Sequence, residues 1–129
     1  MSMAGIRGAA LALAIALLAG TALAREVGDR VLARWTPDDM WYPARITAVT
    51  GREVTVAYDD GDVAIMDAAD VRKLDWGVGS RLQCNWKNQG PYYWGNVVAI
   101  EGEQITFHYD DGYKETMTVS RCRSMPAVE

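Results

Sequence analysis

The chain repeats itself. At an offset of 51 residues, Val27-Gly28, Arg30 and Trp35 recur as Val78-Gly79, Arg81 and Trp86, and Tyr42 recurs as Tyr93. Gly51 recurs as Gly102, the run Tyr58-Asp59-Asp60-Gly61 as Tyr109-Asp110-Asp111-Gly112, and Met66 and Arg72 as Met117 and Arg123. From Val27 to Arg72 no gap is needed, and 14 of those 46 positions are identical. A tandem duplication of so short a unit excludes one large shared core, because each copy must bury its own apolar residues within about 50 positions.

Within each copy the apolar residues follow period two. Val31, Ala33 and Trp35 alternate with Arg30, Leu32 and Arg34. Ala44, Ile46 and Ala48 then alternate with Arg45 and Thr47, and Val54, Val56 and Tyr58 with Thr55 and Ala57. The strands are punctuated by Pro37-Asp38-Asp39, Thr50-Gly51-Arg52 and Asp59-Asp60-Gly61, which carry turn chemistry. Ala68 to Leu74 reads as a helical turn followed by a fifth strand. Five short strands cannot fill two sheets, whereas one strongly bent sheet folded onto itself encloses a small core. The fold class is therefore all-β, with a barrel at 25–75 and another at 76–129. The linker Asp75-Trp76-Gly77 is too short for independent motion, and Trp76 is placed between the barrels.

The first 24 residues are of another kind. Arg7 supplies a positive charge, Ala9 to Leu18 an apolar run, and Ala22-Leu23-Ala24 a small-x-small cleavage site, which together read as a secretory signal peptide. No Cys follows the site, so a lipoprotein is not indicated. Cleavage removes Arg7 alone from the charges, leaving 12 basic against 17 acidic residues. The sequence thus predicts an exported protein, periplasmic or secreted, with no membrane span after cleavage. A general nucleic-acid binder would need basic residues to neutralise phosphates, and no basic patch is present.

The succession Val27-Gly28-x-Arg30-Val31-x-Ala33-x-Trp35, then Trp41-Tyr42-Pro43-Ala44-x-Ile46, then Val54-x-Val56-x-Tyr58-Asp59-Asp60-Gly61, resembles a Tudor domain of the broader Tudor/Agenet group. The second copy follows it more loosely through Tyr92-Tyr93-Trp94-Gly95-x-Val97. The resemblance implies two five-stranded SH3-like barrels and a non-catalytic binding role. It also implies an aromatic cage at one end of each barrel. By position these are Trp35, Tyr42 and Tyr58 with Asp60 or Asp62 in the first copy, and Trp86, Tyr93 and Tyr109 with Asp111 and Tyr113 in the second. A ring face attracts a cation within about 6 Å of its centroid. The same rings could instead simply fill the barrels, and the sequence leaves both readings open.

Cys84 and Cys122 fall on apolar phases of the first and last strands of the second copy, where Ala33 and Val71 stand in the first. Those strands are neighbours in a closed barrel, and an exported protein meets an oxidising compartment, so a disulfide is expected. Two thiols and one distant His108 do not supply the four ligands of a structural zinc. His108 alternates with Phe107 and Tyr109 and reads as a strand-surface residue. Asp59, Asp60 and Asp62 could form a cation or acid–base cluster, but Asp-Asp-Gly is also what a tight hairpin requires, and the calcium-loop spacing is missing. No nucleophile elbow or phosphate loop occurs, and no cofactor is expected.

Two functions follow. One is a binding module holding a protein or peptide with a methylated or quaternary ammonium group at an aromatic mouth. The other is an exported structural or adaptor protein that docks an envelope protein or cell-wall polymer and uses its aromatics as core. The first copy is expected to bind better, since it carries 11 acidic and 7 basic residues from Arg25 to Trp76, against 6 and 5 from Gly77 to Glu129.

Overall fold

The computed structural model describes residues 26–125, so the leader sequence lies outside the described residues. The first copy folds as β1 (Arg30–Trp35), β2 (Met40–Thr50), β3 (Glu53–Tyr58), β4 (Val63–Asp67) and β5 (Val71–Lys73). The second repeats this as β6 (Arg81–Asn85), β7 (Tyr92–Glu101), β8 (Gln104–Tyr109), β9 (Lys114–Thr118) and β10 (Cys122–Arg123). Each set is one antiparallel five-stranded sheet, ordered β4-β3-β2-β1-β5 and β9-β8-β7-β6-β10. A single 3-10 turn, Ala68–Asp70 or Val119–Arg121, leads into each last strand, as the sequence predicts.

The sheets curl because the register slips at the same place in both, between Ile46 and Ala48 and between Val97 and Ala99. Such a bulge bends a strand and lets its two halves serve opposite sides of a barrel. The repeated Val-Gly pair docks beside it: Gly28 N–H donates to the Ile46 carbonyl at 2.8 Å, and Gly79 N–H to that of Val97 at 2.8 Å.

The repeated Tyr-Asp-Asp-Gly run is explained residue by residue. Asp59 and Asp110 each receive a two-pronged arginine, from Arg30 at 2.7 and 2.8 Å and from Arg81 at 2.6 and 2.7 Å. Asp60 and Asp111 accept the backbone N–H of the residue two positions on, Asp62 and Tyr113. Gly61 and Gly112 sit at φ of 101° and 97°, a region that side chains disfavour.

The inward phase of each sheet forms a separate core. Val31, Ala33, Ile46, Val54 and Val56 fill the first, and Leu82, Val97, Ile105, Phe107 and Met117 the second. One exchange shows how volume is conserved: Ala44 and Val56 of the first copy become Gly95 and Phe107. A Cβ on Gly95 would meet the His108 carbonyl oxygen and lie 2.5 Å from the Phe107 ring, so backbone and ring together require the glycine. Cys84 and Cys122 face each other across β6 and β10, are fully buried and are joined by a disulfide. Their first-copy counterparts Ala33 and Val71 hold the same register.

Trp76 packs with Leu74 against the second core. A further tryptophan, Trp41, joins the barrels through its backbone. Its backbone exchanges two hydrogen bonds with Ser124, at 2.9 and 3.0 Å, so the end of β10 pairs with the start of β2. Arg72 lies 4.5 Å above the Trp41 ring, and its repeat counterpart Arg123 lies 3.9 Å above Tyr92. Arg30 adds an ion pair to Glu103 at 2.8 Å, and Ser120 donates to Asp59. Leu32, which alternation assigns to the outer face, is completely buried. That face of the first barrel is where the second barrel docks.

Candidate functional site

Trp35 closes β1, Tyr42 lies near the start of β2, and Tyr58 closes β3. The strand order β3-β2-β1 brings these three positions to one end of the first barrel. The Trp35 and Tyr58 rings stand 5.5 Å apart at 88°, and Tyr42 and Tyr58 stand 6.4 Å apart at 86°. Tyr58 is therefore near-perpendicular to both neighbours. It is nearly buried, and its hydroxyl donates to the Arg34 carbonyl at 2.9 Å, which fixes its plane. Trp35 and Tyr42 are only half-buried.

These rings line a cavity of about 240 Å³, together with Pro43, Asp59, Asp60 and Asp62. All five residues expected at the first mouth are thus brought together. Asp59 is neutralised by Arg30, whereas the Asp62 carboxylate is exposed and has no partner among the described residues. Burial pushes the phenols of Tyr42 and Tyr58 up to about 12, with Asp38 adding to both. Both rings are accordingly neutral near pH 7. The site offers uncharged π faces and rim carboxylates, a combination suited to a cation.

Two lining residues come from the second barrel, Tyr92 and Ser120. The cavity is composite. Arg123 stacks on Tyr92 and donates to the Tyr42 hydroxyl at 2.7 Å, while that hydroxyl in turn donates to Asp38. Neither Tyr92 nor Ser120 was expected, because the period-two pattern of one copy carries no information about the face of the other. The available signal was a difference between copies: Tyr92 and Ser120 occupy the positions of Trp41 and Ala69.

The second ring set is arranged differently. Trp86 meets Tyr93 at 6.2 Å and Tyr113 at 5.9 Å, and Tyr109 is 5.9 Å from Tyr113. Tyr109 belongs to the core, packing edge-on to Phe107 at 4.9 Å. Tyr93 and Tyr113 are exposed. Asp111 accepts the Tyr113 N–H and so is engaged in its hairpin. Glu115 is paired with Arg121 at 2.7 Å and accepts from Tyr109. Burial opposes ionisation of Glu115, but these donors and the Lys87 N–H outweigh it and hold the carboxyl below its usual range.

Residues 27–74 match the family model described as the DNA repair protein Crb2 Tudor domain. Among solved structures, the Crb2 tandem tudor domains share the fold at a TM-score of 0.57 and 17% identity, over 81% of this chain and 83% of that one. The ADCP1 tandem Agenet domain 3-4 covers 78% of this chain and 80% of its own at 14% identity and a TM-score of 0.39. For Arabidopsis thaliana AGDP1 AGD34 the figures are 78%, 82%, 14% and 0.41. Comparison with curated proteins returned no match. The first barrel thus matches a Tudor family model in sequence, and the two barrels together share the fold of the Crb2 tandem tudor domains.

Proposed function

We propose that this protein is a non-catalytic binding module whose first mouth takes a methylated or quaternary ammonium group displayed on a protein or peptide. The observation that carries the reading is the near-perpendicular set Trp35, Tyr58 and Tyr42 around one cavity, with Asp60 and Asp62 beside it. Ring faces attract a cation electrostatically, and a methylated ammonium gives up less hydration on entering than a bare one. The composite wall adds Tyr92, so the ligand is read by both barrels. The Ala-rich leader with its small-x-small site supports an encounter outside the cytoplasm, in the periplasm or beyond.

The adaptor reading draws support from the burial of Tyr58 and Tyr109, which serve as core. Trp35 and Tyr42 favour binding, because they are half-buried around space rather than enclosed. Titration with one peptide carrying lysine, trimethyllysine or dimethylarginine, and with choline, read by tryptophan fluorescence, tests this. Saturable binding of a methylated form, weakened by Asp62→Asn, is expected. Equal or absent response to every form overturns the reading in favour of the adaptor.

A further inference from the structure

The second ring set already holds a cation. Lys87 Nζ lies 4.5 Å from the Trp86 ring centroid and 5.2 Å from that of Tyr113. Thr36 occupies the equivalent position in the first copy, so the first mouth has no such residue.

The backbone is bent to deliver this side chain. Lys87 and Asn88 adopt φ of 51° and 57°, the left-handed region that side-chain-bearing residues disfavour. Hydrogen bonds on every side hold the loop there. Trp86 N–H donates to the Pro91 carbonyl at 2.9 Å, Gln89 N–H to the Trp86 carbonyl at 3.0 Å, and Gly90 N–H to Asn85 Oδ1 at 2.8 Å. Lys87 N–H itself reaches Glu115 at 3.3 Å. In the first copy the left-handed residue is Asp39, at φ 66°, and its neighbour Asp38 accepts from Met40 N–H and the Tyr42 hydroxyl. The two loops share that left-handed position, Gly90 standing at φ 114° where the first copy has Asp39, and the second loop adds Lys87 and Asn88 ahead of it.

We propose that Lys87 is an internal ligand of the second mouth, and that an outside ammonium group reaches Trp86 and Tyr113 only by displacing it. A tethered cation competes at an effective concentration in roughly the millimolar range. The apparent affinity for an outside ligand is then the intrinsic affinity reduced by the fraction of molecules with Lys87 withdrawn. Glu115 gives the newcomer little extra attraction, since Arg121 already neutralises it. The competing ligand is therefore a methylated or quaternary ammonium, less strongly hydrated than the lysine it replaces. This inference concerns the second mouth alone and does not depend on what the first one binds.

The test is NMR titration of the full chain with tetramethylammonium, following the Trp35 and Trp86 indole N–H signals and the ε-methylene protons of the three lysines, Lys73, Lys87 and Lys114. Ring currents should shift the Lys87 ε-protons upfield of the other two, and tetramethylammonium should return them toward the exposed-lysine position. Lys87→Gln, which removes the charge and leaves a polar side chain one atom shorter, should tighten binding reported by Trp86 about fivefold, the ratio that one exposed cation–ring contact is worth. Lys73→Gln makes the same charge change in β5 of the first barrel and should leave that affinity unchanged. Lys87 ε-protons resonating with those of Lys73 and Lys114 would overturn the proposal without any variant. Equal tightening by both substitutions, or none by Lys87→Gln, would do so as well. Silence at Trp35 alongside a response at Trp86 would count against the first-mouth reading only.

Discussion

Arg123, from the last strand of the second barrel, donates to the Tyr42 hydroxyl of the first at 2.7 Å while its guanidinium lies 3.9 Å above Tyr92. One side chain thus positions two walls of the cavity. Arg123→Ala should weaken ligand binding at the first mouth several-fold and lower stability by about 1.5–3 kcal/mol, the range for hydrogen bonds to charged groups. Arg123→Lys keeps the charge but loses the planar fork and should recover only part of both. Calorimetric titration and thermal melts check this; unchanged affinity in the alanine variant would show that the composite wall is passive.

Trp35→Ala separates binding from packing. Trp35 lies against the first core yet lines the cavity and is half-buried. The substitution should cost about 1–2 kcal/mol of ligand affinity, the scale of a desolvated cation–ring contact. Its effect on the melt should be smaller than the roughly 3–5 kcal/mol of removing a fully buried aromatic. A full core-sized loss of stability would identify Trp35 as filling and leave the mouth without its main wall.

Mass mapping without reductant should recover Cys84 joined to Cys122. The bond closes a loop with a sequence separation of 38. In the chain-entropy account it stabilises the second barrel by about 3–4 kcal/mol. Removing it should also soften the first mouth, because Ser120 and Arg123 flank Cys122. Two freely alkylated thiols in protein from its natural host would contradict the pairing.

Acid should unlock the barrels from one another. Burial works against ionisation of Asp59, but hydrogen bonds from Arg30 and Ser120, with the charges of Arg30 and Arg45, hold its carboxyl below the usual range. A folded-state value below the unfolded one means that the stabilisation is present above the unfolded value, near pH 4, and is lost as pH falls through the folded one. Asp59→Asn should remove that part of the acid-limb loss and lower stability at neutral pH. An identical pH profile in the variant would assign the acid sensitivity elsewhere.

Amino-terminal sequencing of the protein from its natural host should begin at Arg25. A soluble product beginning at Met1 or Ser2 would remove the basis for export and reopen the choice of partner.

Much of this architecture is legible in one copy alone. Period two gives the strands, Asp-Asp-Gly the hairpin, and the apolar phase of Cys84 and Cys122 their register, because each depends on neighbours within a single small sheet. The first mouth is legible for the same reason: Trp35, Tyr42 and Tyr58 end or begin adjacent strands. What escapes is set between copies or by unusual backbone. Leu32 is assigned outward by alternation and is completely buried, on the face of β1 that also carries Arg30, whose ion pair reaches Glu103 of the second barrel. Lys87 lies over Trp86 only because two successive residues adopt left-handed conformations, which no hydrophobic pattern records.

The backbone exchange between Trp41 and Ser124 makes the order of the two copies matter. A chain assembled from two first copies would keep every ring of the first mouth but place Trp41 and Ala69 where Tyr92 and Ser120 complete its far side. Cutting the natural chain between residues 75 and 77 would release a first barrel with the Trp41 backbone unpaired and its cavity open on one flank. Duplication here has produced a cavity and its own wall, so neither half is a portable module.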